Sequence, residues 1–390
     1  MSTENRGSDR TEPAGEHAGD AGYDAAPQDE RLFRGLRGPT PRSTTLGVAL
    51  VVMLGLLAVM VLLPAPYAVR APGPTENTLG TQDGKDLITI SGAKTYPASG
   101  ELRLTTVSVS GGPGYPAQAP AVVRGWLDAK DSVYPVEELF PPDESADQVA
   151  ARNEADMVSS QESATVAALT EAGYDVPVTL TVQGTVPDSG ADGVLEKGDV
   201  IVALDGEKIV TYQDLIDRLD ATTPGDDVVV GVRRDGAAKD VTVTTGGSDG
   251  RTVLGVLLGT DFDMPVDVDI QIGDIGGPSA GTMFALGIVD KLTPADEAGG
   301  KVIAGTGTMG VDGVVGPIGG IRQKLYGAQR DGAAWFLAPE SNCDEVVGHV
   351  PPGLHVAAVG TLDEAVDAMT AIGSGKGSGL TSCEDVAAAG

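Results

Sequence analysis

Histidine is nearly missing from this sequence: three residues in 390, one of them (His17) in a polar N-terminal stretch. Only His349 and His355 remain for a His-based metal site or a Ser-His triad, and that leaves little room for either. Cysteine is as rare. Cys343 and Cys383 alone cannot build a disulfide scaffold or a Cys-rich zinc site. Basic residues are outnumbered, with 26 Lys and Arg against 56 Asp and Glu and a net charge of −30. Phosphate binding needs clustered cations, so a nucleic-acid partner is excluded. No G-x-x-x-x-G-K-[ST] loop occurs: Gly84-Lys85 is followed by Asp86, Gly300-Lys301 by Val302 and Gly375-Lys376 by Gly377. No cofactor and no metal are expected.

What is present points to a folded, exported chain. At roughly 100–200 residues per domain, 390 residues with 41% apolar content predict two or three domains with real cores. Residues 46–63 carry no charge. As a helix they span ~27 Å, close to the hydrocarbon thickness of a bilayer. Arg31, Arg34, Arg37 and Arg42 precede them with no acid after Glu30, which places the N-terminus in the cytoplasm and everything beyond about residue 66 outside. The rival is a cleaved signal peptide. Its apolar region would be unusually long, and its one cleavage point, after Ala71, is followed by Pro72.

The pattern along the chain divides it further. Residues 1–44, without periodicity, read as a disordered cytoplasmic tail. The transmembrane helix is expected over 45–66, stopped by Pro64 and Pro66. Leu102, Leu104, Val107 and Val109 predict a strand or hairpin after Gly100. Residues 145–173 have helical spacing with Ser145 as a cap. Residues 176–246 alternate like strands: 176–182, 200–204 and 228–232, with a short helix over 212–219 that presents Leu215 and Leu219 on one face. Residues 253–369 mix strand and helix patterns, and 373–379 form a Gly/Ser linker into a flexible tail.

The β-rich stretch carries Val186-Pro187-Asp188-Ser189-Gly190-Ala191, then Leu195-Glu196-Lys197-Gly198-Asp199-Val200-Ile201 and Asp205-Gly206. These residues resemble the PDZ domains of bacterial proteases. The resemblance implies a module that binds an extended peptide by strand addition and captures its terminal carboxylate on backbone N–H groups. Gly173 to Val178 is the segment expected to supply that loop. The plain alternative is a structural β module with an empty groove.

Two further elements carry chemistry. Gly277, Pro278, Ser279 and Ala280 lead into an almost wholly apolar helix, so Ser279 stands at the mouth of a buried helix, beside N–H groups with no intrahelical partner. A serine there is usually just a cap. Later, Ile321, Leu325 and Ala328 share one helical face with Lys324 on its flank, while Arg322, Gln323 and Arg330 point elsewhere. Such a lysine either snorkels to solvent or is buried and neutral. A neutral lysine takes a serine proton without His or Asp.

Together these residues resemble the proteolytic domain of Lon proteases, through Gly277-Pro278-Ser279-Ala280-Gly281 and the run Thr306-Gly307-Thr308-Met309, Gly313, Val315, Ile318-Gly319-Gly320-Ile321 and Lys324. The resemblance implies Ser279 as nucleophile, Lys324 as base and Thr306 as a residue that positions the lysine, with Gly277, Pro278 and Ala280 as supporting residues. Lon usually has Asp three residues before the serine; here Gly276 stands there. Met157, Ser160 and Ala164 match a helix upstream of the Lon nucleophile, which suggests a proteolytic domain with the PDZ module inserted into it.

The expected class is α+β: a Lon-type proteolytic domain with a PDZ-like β module, preceded by one transmembrane helix. The expected divisions are 67–171 (an extracytoplasmic hairpin and helix, the N-terminal part of the protease domain), 172–250 (PDZ), 251–372 (Lon-like proteolytic) and 373–390 (flexible tail). The function expected is a membrane-anchored, ATP-independent serine endopeptidase acting on exposed or unfolded protein segments, with protein or peptide substrates; the resemblance leaves open a homo-oligomeric ring. The alternative is an idle PDZ-bearing adaptor for protein C-termini. An oxidising compartment favours a disulfide between Cys343 and Cys383.

Overall fold

The computed structural model describes residues 40–82, 84–248, 250–273 and 275–389. Residues 1–39, the bulk of the expected tail and the site of Arg31, Arg34 and Arg37, lie outside the described residues. Helix α1 (Pro41–Leu62) starts four residues earlier than expected and has no buried residue. It is the one helix among the described residues long and apolar enough to cross a membrane. Pro41 fits the first helical turn, whose N–H groups have no intrahelical partner in any case, and Pro64 follows the last turn.

A mixed six-stranded sheet organises the larger core. Its strands are β1 (Tyr67–Asn77), β2 (Glu101–Ser110), β3 (Ser132–Pro135), β9 (Val302–Gly305), β10 (Trp335–Pro339) and β11 (His355–Val359), in the order β11-β10-β9-β2-β1-β3. The β9 strand runs parallel to both β2 and β10, whereas β1 is antiparallel to β2 and β3. Alternation along the strands sorts side chains to two faces. Leu102, Leu104, Ile303, Leu337 and Val359 pack with α3 (Ala146–Glu171), α5 (Gly281–Leu292) and α7 (Leu362–Gly373). Ala304, Phe336 and Ala338 pack on the other face with α6 (Ile321–Arg330), the short helix Cys343–Val346 and Cys383. Helix α2 (Ala119–Leu127) covers β1 and β3 through Val122. Ser145 caps α3 in a reciprocal capping box with Gln148.

A second, antiparallel sheet has its own core. Strands β4 (Val178–Thr185), β5 (Val200–Leu204), β6 (Asp227–Arg234), β7 (Ala237–Thr244) and β8 (Val256–Phe262) lie in the order β7-β6-β5-β4-β8. Helix α4 (Tyr212–Asp220) adds Leu215 and Leu219 to that core. The sheet runs past the expected boundary at residue 250, because β8 pairs with β4 along its whole length. Asp199 is 1% exposed, and its carboxylate accepts from both Arg234 Nε (2.7 Å) and Nη2 (2.6 Å). That bidentate pair holds the Asp199 carboxyl below the usual range.

The tail differs from expectation. Residues 373–379 were expected to be a flexible linker, but Lys376 N donates to Ala371 O and Gly377 packs so closely on Trp335 that a Cβ would lie 2.6 Å from its ring. Helix α8 (Cys383–Ala389) follows, and Cys383 is bonded to Cys343. Cys343, expected in a polar loop, opens the short helix and is 2% exposed.

Asp290 on α5 is 1% exposed; its Oδ1 accepts from Glu297 N at 2.9 Å, and its Oδ2 has no partner among the described residues. Burial raises its pKa from 3.8 to about 6. The folded state therefore holds this proton more tightly than the unfolded state, and stability falls as pH rises from about 4 to about 6. Asp290→Asn keeps the acceptor and removes the charge. It is expected to flatten that fall and to melt several degrees above the native chain at pH 8 in thermal scans across the range; identical pH profiles would contradict this.

Candidate active site

Parallel pairing of β9 with β2 sets the site. Gly305 lies opposite Leu104, so Thr306 leaves the strand end beside Thr105. Helix α6 approaches from one face of the sheet and α5 from the other. Gly320, at φ +74° in the left-handed region that glycine tolerates, starts α6 and turns Lys324 inward. Lys324 is 1% exposed. Its Nζ lies 2.7 Å from Thr105 O, 2.8 Å from Ser279 Oγ and 2.9 Å from Thr306 Oγ1.

The protons of this cluster can be assigned. Thr105 O can only accept. Thr306 Oγ1 gives its single proton to Ser279 O at 2.9 Å, so toward Lys324 it too accepts. Burial pulls the Lys324 pKa from 10.5 down to about 7. A neutral amine has two N–H donors and one lone pair. In that neutral form, with both donors committed to Thr105 and Thr306, the lone pair faces the Ser279 hydroxyl.

The serine loop is held on both sides. Gly277 N donates to Asn153 O at 2.9 Å, and Ser160 Oγ donates to Pro278 O at 3.0 Å, both from α3. Gly307 N donates to Ser279 O at 3.0 Å. Gly277 sits at φ +90°, and Ala280 is buried at the start of α5. The backbone N–H groups of Ser279 and Ala280 donate to no described residue. A Cβ on Gly276 would stand 2.8 Å from the Asn153 Cβ, so this loop has no room for a side chain three residues before the serine.

All the singled-out residues gather here apart from the two cysteines, which lie together on the α6 face of the sheet. Sequence reasoning missed Thr105 and Asn153. Both act through main-chain oxygens, which leave no mark on residue type. Gln323 points away from the Ile321 face as expected, yet it is 2% exposed and donates to Lys130 O (3.2 Å) and Ser132 Oγ (2.9 Å), pinning α6 to β3.

A second concave region lies between β8, an edge strand, and α4, lined by Leu215, Ile216, Leu219, Leu254, Val256 and Leu258. The 173–178 segment, expected to supply its carboxylate loop, does not line it; residues 251–256 do. At its mouth Arg251 donates to Asp312 at 2.8 Å, in the turn between the short strands Thr308–Met309 and Val315–Gly316.

Residues 262–371 match the family model of the Lon protease (S16) C-terminal proteolytic domain, and residues 147–245 match that of the PDZ domain. The chain therefore carries a Lon-type proteolytic domain together with a PDZ domain. Among curated relatives, Lon protease 2 of Bacillus subtilis is 34% identical over 110 residues, covering 26% of this chain and 19% of the relative. Lon protease 1 of Sorangium cellulosum is 39% identical over 93 residues, covering 23% of this chain and 11% of the relative. The chain thus spans a fifth or less of the length of these proteins. Among solved structures, the PDZ domain of an SdrC-like protein from Listeria monocytogenes is 24% identical, covering 22% of this chain and 88% of that one, with a TM-score of 0.20.

Proposed function

We propose that this protein is a serine endopeptidase with a Ser279–Lys324 dyad, and one observation carries the reading: a buried lysine whose Nζ lies 2.8 Å from a serine Oγ. Ser279 Oγ attacks the scissile carbonyl carbon as its proton passes to Lys324 Nζ. The carbonyl oxygen becomes an oxyanion within reach of the unpartnered N–H groups of Ser279 and Ala280. The Lys324 ammonium then protonates the leaving amine, and water repeats the sequence to release the acyl group. Thr306 orients both partners. An idle adaptor has no use for a lysine whose burial destabilises its fold.

Substrate is read as a protein segment already extended, lying in the cleft that Asn153, Met157, Val158, Ile272 and Ile275 form beside Gly276. No phosphate-loop motif occurs in these residues, which supports hydrolysis without ATP. The β8–α4 groove takes a peptide C-terminus by strand addition, and Arg251–Asp312 links it to the segment that carries Thr306. Because α3 and α5 share one core, the PDZ module is read as an insertion, over about 176–262, into a proteolytic domain built from 67–171 and 263–372. Helix α1 is read as the membrane anchor, with the N-terminus cytoplasmic and the remainder outside. Assembly into a homo-oligomeric ring completes the reading.

A fluorophosphonate probe on the full chain in detergent micelles tests the dyad. Labelling is expected at Ser279 alone, rising about tenfold per pH unit below 7 and levelling above it, as the base loses its proton. Lys324→Arg keeps its charge in any protein environment and is expected to be unlabelled while folded. Labelling of that variant, or a flat profile, would remove lysine from the mechanism.

A further inference from the structure

The surface next to the membrane exit is unusually apolar for so acidic a chain. Trp126 is 61% exposed, Leu127 83%, Val123 49% and Tyr115 63%. Three of them share the outer side of α2, whose inner side is locked down. Val122 is buried, and a Cβ on Gly125 would lie 2.8 Å from Val133 and 3.0 Å from Val69. Tyr67 meets Trp126 edge-on, with ring centroids 5.7 Å apart. The helix is therefore a fixed part of the β1–β3 corner.

Chain connectivity says what faces this corner. The apolar run ends at Leu63, and two residues later Ala65 N donates to Ala117 O at 2.8 Å while Pro64 bridges to Gln118. Helix α2 begins at the next residue. At 1.5 Å per residue its far end is only ~13 Å from that fixed point. Whatever tilt the rest of the molecule adopts, Val123, Trp126 and Leu127 stay within about 13 Å of Ala65, two residues beyond the end of the apolar run. Indole and phenol rings favour the membrane boundary, where one end is apolar and the other wet.

Resting on the anchor reading above, we propose that α2 is an interfacial docking helix: its Val123, Trp126 and Leu127 side chains enter the headgroup–acyl boundary of the membrane that α1 crosses. Arg124, on the same short helix, suits the lipid phosphate level. The net charge of −30 keeps most of the remaining surface off an anionic bilayer. Docking at one apolar corner then fixes the orientation of the whole catalytic unit on its tether.

The chain has only two tryptophans, which makes the test direct. The full chain is reconstituted into phosphatidylcholine vesicles with acyl chains brominated near their carboxyl ends. Indole emission is expected to fall by about half on brominated lipid relative to plain lipid, and Trp126→Phe, a change at an exposed site, is expected to abolish the difference. If the chain floats with the vesicles but brominated lipid quenches nothing, the docking is wrong and the anchor stands. If it does not float with them, the anchor reading fails and the docking with it. Trp126 emission that shifts on dilution while ignoring bromine would mean that a second copy of the chain covers this face, which also overturns the proposal.

Discussion

Lys324→Met is expected to abolish peptide hydrolysis and yet to raise the melting temperature at pH 6. The displacement of the lysine pKa from 10.5 to about 7 corresponds, at 1.36 kcal/mol per pH unit, to about 5 kcal/mol. Its sign follows from proton binding. Between about pH 7 and 10.5 the unfolded chain holds this proton and the folded chain does not, so stability rises with pH across that window. Below pH 7 the full penalty is present. Methionine fills similar volume and removes the penalty, but leaves the Thr105 carbonyl without its donor, at about 1–3 kcal/mol. The balance is a gain of about 2–4 kcal/mol at pH 6 that shrinks with rising pH and reverses between about pH 8 and 10. Thermal scans of both proteins from pH 6 to 10.5 measure it. A variant less stable than native at every pH would show that Lys324 is a structural cation and not a buried neutral amine.

Replacing Cys343 and Cys383 together by alanine is expected to cost about 4 kcal/mol, the chain-entropy value for a closed loop of 40 residues. Both side chains sit in the core beneath β10 and β11, so small cavities add to the loss. The dyad lies elsewhere. Hydrolysis per folded molecule at 25 °C is therefore expected to stay near native while the melting temperature drops. Reductant should reproduce the drop in the native chain and leave the alanine variant unmoved. A native chain indifferent to reductant would mean that packing alone holds α8.

The contrast between Lys324 and Thr105 shows what was legible in the sequence. Lys324 lies on the flank of an apolar helical face, and Ser279 stands before a helix apolar all round; both patterns are local, and periodicity exposes them. Thr105 contributes a main-chain oxygen from a strand far away in sequence, and nothing in its residue type announces that. Strands 200–204 and 228–232 and the helix over 212–219 could be read from alternation and turn dipeptides. Strand β8 could not, because Val256, Leu257 and Leu258 do not alternate and only their pairing with β4 defines them. The tail misled for a related reason. Four glycines in 373–379 suggest a linker, yet Gly377 is there because Trp335 leaves no room for a side chain.

The pairing of β2 with β9 has a consequence for biosynthesis. Leu102 and Ile303 are neighbours in the sheet but about 200 residues apart along the chain, with the entire PDZ module made between them. Such a contact is slow to close, whereas the intervening antiparallel strands pair locally and have their own core. Vectorial synthesis thus delivers β1, β2 and α3 first, with Leu102, Leu104 and Leu169 waiting for partners, then a module able to fold at once, and only then α5, β9 and α6. The unfinished half-sheet is the species most exposed to aggregation and to quality control. The same order is also a safeguard. Thr105 arrives early, Ser279 late and Lys324 later still, so no chain stalled before residue 324 has the desolvated Ser279–Lys324 pair, and on the proposed mechanism none of them can cut.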